Sequence, residues 1–119
     1  PAEWARLYRV YLGVEVPNDR EGCLQDSHWS GGSFGYFPSY ALGNAYGAQM
    51  LRRMEQAFDV FGQVAKGNLS GVTGWLREHV HQYGQLLEPA DVVRNACGTL
   101  DPQVYLDYLT RKYTELYAL

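Results

Sequence analysis

The sequence predicts an all-α fold of about five helices with one long glycine-rich loop. Apolar residues recur at spacings of three and four along five segments, and no alternating strand pattern competes with them. Proline, glycine and short polar residues punctuate those segments where helices start and stop.

In the first segment, Trp4, Leu7, Tyr8, Tyr11 and Leu12 share one face, and Gly13 is a stop signal, so a helix is expected over 2–12. From Val14 to Tyr36 the periodicity disappears, while Pro17-Asn18-Asp19, Gly22 and Gly31-Gly32 supply turn chemistry. An irregular stretch of this length inside a compact domain is usually functional.

A second, long helix is expected over 39–65, starting near Pro38-Ser39 and carrying Tyr46, Met50, Met54, Phe58, Phe61 and Val64. Gly43 and Gly47 lie four apart in its first half and cost roughly 1 kcal/mol each in helix propensity. Their missing side chains favour close packing of another helix, or of a ligand. Val72, Trp75, Leu76, Val80 and Tyr83 trace a third helix ended by Gly84, with Ser70 or Thr73 as its cap. Pro89 opens a short fourth helix through Val92, Val93 and Ala96, terminated by Gly98. Asp101-Pro102 then pairs an N-cap with a proline at the first helical position. The last helix puts Tyr105, Leu106, Leu109, Tyr113, Leu116 and Tyr117 on one stripe. Both terminal helices are amphipathic, so each is expected to bury one face.

Composition narrows the function. The 119 residues suit one domain, with 46% hydrophobic and 19% charged residues, and no apolar run approaches the roughly 18 residues a membrane helix needs. The net charge of −3, with Arg52-Arg53 and Arg111-Lys112 as the adjacent basic pairs, argues against nucleic acid. Cys23 and Cys97 are far apart and form no CxxC, so two reduced thiols in a cytoplasmic protein are expected, without a disulfide framework or zinc knuckle. The chain opens on Pro1-Ala2-Glu3-Trp4, directly in helical periodicity, and is expected to be a piece of a longer protein.

The chemistry is concentrated between Gly22 and Tyr40, where Gln25, Asp26, His28, Trp29, Tyr36 and Tyr40 accompany four glycines with no periodicity to account for them. His28 could donate a proton, ligate a metal or orient a hydrogen bond, and Asp26 could orient its ring. A lone loop histidine is nevertheless more often structural. A tyrosine phenol is a neutral donor able to stabilise an oxyanion, an effect of about 3 kcal/mol, and Tyr36 and Tyr40 both qualify. Trp29 reads as a packing anchor, and Gly31 and Gly32 as a sharp turn. His79 and His81 are two apart on an expected helix and face different ways, so they cannot act as a metal-binding pair four apart.

Gly22-x-x-Gln25-Asp26-x-His28-Trp29 resembles the G-x-x-Q-D-x-H-W signature of the carboxypeptidase Taq family, thermostable carboxypeptidases of the HExxH zinc peptidase type. Tyr11-Leu-Gly-Val-Glu-Val-Pro-Asn-Asp19, Phe34 to Asn44 and Tyr108 to Tyr117 also look like that family's C-terminal region. The resemblance implies the C-terminal helical part, over 1–119, of a mostly helical metallocarboxypeptidase, often a homodimer, that removes single residues from peptide C termini. Its zinc or cobalt is held by HExxH and a downstream glutamate, which this sequence lacks, so no metal ligand is assigned here. The chain alone is then expected to be inactive, without Lewis acid or activated water.

Similarity to the wider group of helical HExxH peptidases, in which a histidine is followed eight to ten residues later by a tyrosine, implies His28 at the substrate carbonyl and Tyr36 at the oxyanion. Tyr40 is the alternative phenol, and Gln25 and Asp26 line or fix the substrate site. A non-catalytic helical module that pairs its aromatic surface with another chain is the rival reading, and homo-oligomerisation is expected in either case.

Overall fold

The computed structural model describes residues 1–118, and among them are seven α-helices and no strand. The chain divides into two compact units, Pro1–Ser39 and Tyr40–Leu119.

The first unit begins with α1 (Ala2–Leu12), which ends at Gly13, whose backbone N–H donates to the Arg9 carbonyl at 3.1 Å. Trp4 and Tyr8 stack along it with ring centroids 5.3 Å apart. None of its residues is buried, and Tyr11 is 77% exposed, so α1 does not bury the apolar face its spacing lays out. The stretch that lacks periodicity is nonetheless ordered by local polar bonds. It contains 3-10 turns at Asp19–Glu21 and Cys23–Gln25 and the one-turn helix α2 (Ser27–Ser30). Asn18 Oδ1 accepts the Glu21 N–H at 3.0 Å, and Asn18 Nδ2 donates to Glu21 Oε1 at 3.0 Å. This reciprocal pair is akin to a capping box. The buried residue of this unit is Gly22.

The second helix begins at Pro38 and is two helices rather than one, α3 (Pro38–Ala57) and α4 (Val60–Ala65). Asp59 leaves helical geometry at φ −73°, ψ 86°, and its Oδ1 accepts the Gly62 N–H at 3.0 Å. A carboxylate that competes for a backbone N–H can end one helix and cap the next. The apolar spacing runs through the break, so periodicity could not reveal it.

The third helix, α5 (Ser70–His79), is also shorter than its spacing implies. Val80 turns away from helical geometry, and His81–Tyr83 forms a 3-10 turn before Gly84. Neither Ser70 nor Thr73 caps it. Asn68 Oδ1 accepts from the Ser70 N–H at 3.0 Å and its hydroxyl at 2.6 Å, while the Thr73 hydroxyl donates back to the Leu69 carbonyl at 3.0 Å. The last two helices, α6 (Pro89–Cys97) and α7 (Pro102–Tyr117), start and stop where their signals stand. Asp101 Oδ1 caps α7 by accepting the Gln103 N–H at 3.0 Å.

The buried apolar side chains of the second unit are small. Ala45, Ala48 and Met54 come from α3, Val60 from α4, Val92 and Cys97 from α6, and Val104 from α7. Each buried valine or methionine contributes roughly 1.5–3 kcal/mol. The buried polar residue is Gln49 on α3, and both ends of its amide are satisfied. Its Nε2 donates to the Thr99 carbonyl at 3.0 Å and the Cys97 carbonyl at 3.4 Å, and its Oε1 accepts the Asp101 N–H at 2.9 Å. Gln49 thereby holds the α6–α7 turn against α3. A Cβ placed on Gly43 or Gly47 would meet nothing within 4 Å, so no described residue packs closely on them.

Candidate active site

Asp26 stands between the second 3-10 turn and α2, with extended backbone (φ −79°, ψ 106°) that suits an N-cap. Its Oδ1 accepts the His28 backbone N–H at 2.9 Å and faces the ring Nδ1 at 3.0 Å. One oxygen therefore starts the helix and orients the imidazole. The Asp26 side chain is 9% exposed and that of His28 21%. The His28 backbone N–H is the main reason the Asp26 carboxyl lies below its ordinary range, against the opposing effect of burial, with further help from the His28 ring and the Trp29 N–H.

Beyond α2 the chain doubles back. The Gly32 N–H donates to the Trp29 carbonyl at 3.0 Å and the Ser33 N–H to the His28 carbonyl at 2.7 Å. Gly32 at φ 80° and Gly35 at φ 76° occupy the left-handed region, where a side chain is disfavoured. The reversal brings Tyr36 to His28 with ring centroids 5.3 Å apart and planes inclined by 35°. Phe37 flanks the same imidazole at 5.4 Å.

The structure thus brings together three of the residues singled out in the sequence: Asp26, His28 and Tyr36. Gln25 is engaged with the loop, donating from Nε2 to the Arg20 carbonyl at 2.7 Å. Tyr40 lies in the first turn of α3, within the second unit. Trp29 is exposed, its ring 5.6 Å from Phe34, so it is not seated in a core in this chain. Phe37 was not anticipated, because an aromatic beside Pro38 carries no periodic signal. Asn18 was also missed, although Asn-x-x-Glu is a recognisable capping pattern.

The arrangement limits what His28 can do. With the Asp26 carboxylate accepting at Nδ1, a neutral ring presents a lone pair at Nε2, and an imidazolium presents an N–H. The Tyr36 phenol supplies a neutral donor. Together they can serve an oxygen that gains negative charge during a reaction.

Among the described residues, no three histidine, cysteine, aspartate or glutamate side chains converge to hold a metal ion. His79 packs edge-on against Trp75 at 4.4 Å, and His81 lies in the following 3-10 turn. The side chains present therefore do not fit a metal centre of their own. No described helix is long and apolar enough to cross a membrane.

Comparison with known proteins agrees with the signature. A family model described as carboxypeptidase Taq (M32) metallopeptidase matches residues 1–113. The chain is 42% identical to carboxypeptidase 1 of Bacillus subtilis strain 168, covering 100% of this chain and 24% of that protein. It is 37% identical to thermostable carboxypeptidase 1 of Thermus thermophilus, covering 99% and 24% respectively. The fold is similar to the crystal structure of the M32 carboxypeptidase from Deinococcus radiodurans R1, with a TM-score of 0.89 and 35% identity over 99% of this chain and 24% of that one. The chain spans about a quarter of the length of these relatives. Because that family model matches residues 1–113, nearly the whole of the chain, the chain belongs to the carboxypeptidase Taq (M32) metallopeptidase family.

Proposed function

We propose that this chain is the C-terminal part of a longer metal-dependent carboxypeptidase that hydrolyses the last peptide bond of peptides and proteins. In this reading His28 holds the substrate carbonyl, and Tyr36 donates to the oxyanion of the tetrahedral intermediate. Asp26 orients the His28 ring through its Nδ1. Gln25 fixes the loop beneath them through the Arg20 carbonyl, and Tyr40 takes part in substrate binding.

The observation that carries this reading is the Asp26–His28–Tyr36 constellation, in which a carboxylate fixes the imidazole and the Tyr36 ring lies against it. The metal, zinc or cobalt, and its ligands belong to the remaining length of the protein. The free thiols Cys23 and Cys97 fit a cytoplasmic protein. The exposed apolar surface of α1 fits a chain covered by the rest of its protein or by a second copy, and a homo-oligomer is the proposed state.

The test is substitution of His28→Ala and Tyr36→Phe in the longer protein, with release of C-terminal residues and bound metal measured in parallel. Removing one preorganised donor should lower kcat by about 100- to 1,000-fold, with metal content unchanged. Loss of metal in either variant would contradict the roles, as would full activity. The chain expressed alone should release no C-terminal residue.

A further inference from the structure

We propose that Gly22 is a positioning residue for His28, because a side chain at this position would collide with Val16 and press on the Asn18 carbonyl. The inference rests on the reading of His28 as a substrate-binding group.

Gly22 is buried, whereas the signature side chains around it are partly or fully exposed. A Cβ at this position would stand 2.5 Å from Val16 Cγ1, 3.1 Å from the Asn18 carbonyl oxygen and 3.7 Å from Trp4 Cδ1. Carbon atoms in contact settle at about 3.5–4.0 Å, so loop and wall would have to part by about 1 Å. Neither side gives easily. Val16 is β-branched and stiff about χ1. The Asn18 oxygen is backbone, in the residue whose side chain caps the Asp19–Glu21 turn.

A shift of Gly22 would travel to His28 through hydrogen-bonded turns. The Gly22 carbonyl accepts the Gln25 N–H at 3.0 Å, and the Cys23 carbonyl accepts the Asp26 N–H at 3.3 Å. Asp26 in turn holds the His28 backbone and ring. Gln25 Nε2 ties the same turn back to the Arg20 carbonyl. Consecutive hydrogen bonds thus link the close approach at Gly22 to the imidazole. A misplacement of about 1 Å can cost on the order of 100-fold in rate.

The experiment compares Gly22→Ala, the double variant Gly22→Ala with Val16→Ala, and His28→Ala in the longer protein, with kcat, KM and bound metal measured for each. Gly22→Ala is expected to lower kcat by about 10- to 100-fold with KM changed less than about threefold and metal retained. Removing the Val16 methyls makes room for the new Cβ, so the double variant should recover most of that loss. Near-parental kcat in Gly22→Ala beside an impaired His28→Ala would overturn the positioning role and leave the assignment of His28 standing. A fully active His28→Ala would overturn that assignment itself. Loss without recovery in the double variant would show general damage, and would also overturn the proposal. If Gly22→Ala does not accumulate as folded protein, Val16→Leu pushes on the same contact from the other side. It should lower kcat at least threefold with metal retained, and an unchanged kcat would refute the proposal.

Discussion

Replacing Asp26 by Asn removes one charge and little else. Asn is as good an N-cap as Asp, so the bond from the His28 N–H, 2.9 Å in the parent, should persist and α2 should stay formed. What is lost is the negative charge 3.0 Å from Nδ1, at a site where the two side chains are 9% and 21% exposed. A charge-assisted hydrogen bond is roughly twice as strong as its neutral counterpart. Asn keeps a neutral bond and only the excess is lost, so kcat/KM in the D26N enzyme should fall by about 5- to 15-fold. The assay is release of the C-terminal residue from an N-blocked peptide across pH 5–9, with bound metal and thermal unfolding measured alongside. Unchanged kcat/KM would refute the orienting role, and loss of metal would show that Asp26 acts elsewhere. The parent bond has its own pH window. The Asp26 carboxyl is lowered on folding, so its stabilising effect is complete above the unfolded value, about 3.9, and disappears as pH falls through the folded one.

Other predictions concern the scaffold. Gln49→Leu strips three hydrogen bonds from the α6–α7 turn and should cost about 2–4 kcal/mol. The Asp101 amide should then exchange roughly 30- to 900-fold faster with solvent deuterium, and unchanged protection would refute the bridging role. Gly62→Ala would ordinarily stabilise a helix by up to about 1 kcal/mol, but its methyl would overlap Asp59 Oδ2 and displace the cap. It should therefore destabilise the parent in thermal melts, yet stabilise a protein already carrying Asp59→Ala. The same sign in both backgrounds would contradict this account of the α3–α4 break.

Helix ends set by local chemistry were readable in the sequence. Gly13, Gly98 and Asp101-Pro102 act within one turn of themselves, and each works where it stands. The break at Asp59 was not readable, since Phe58 and Phe61 keep helical spacing across it and the decision rests on one carboxylate. Gln49 looks like a solvent-facing residue of an amphipathic helix. It is buried because its partners come from a turn about fifty residues downstream, and no local pattern reports such a contact. At the candidate site, the signature and the spacing single out His28 and Tyr36, and the structure adds how the two rings meet. Two left-handed glycines reverse the chain and an aspartate cap aims the ring, so the geometry lives in backbone angles that residue types only permit.

The Gln49 bridge also bears on how the chain is made. Its amide partners follow it by 48, 50 and 52 residues. At about 5–20 residues per second, a ribosome reaches Asp101 roughly 3–10 s after it has added Gln49. Throughout that interval the Gln49 amide is without its native partners. The bridge from α3 to the α6–α7 turn is therefore a late event in the making of the chain, closed only after α6 is complete.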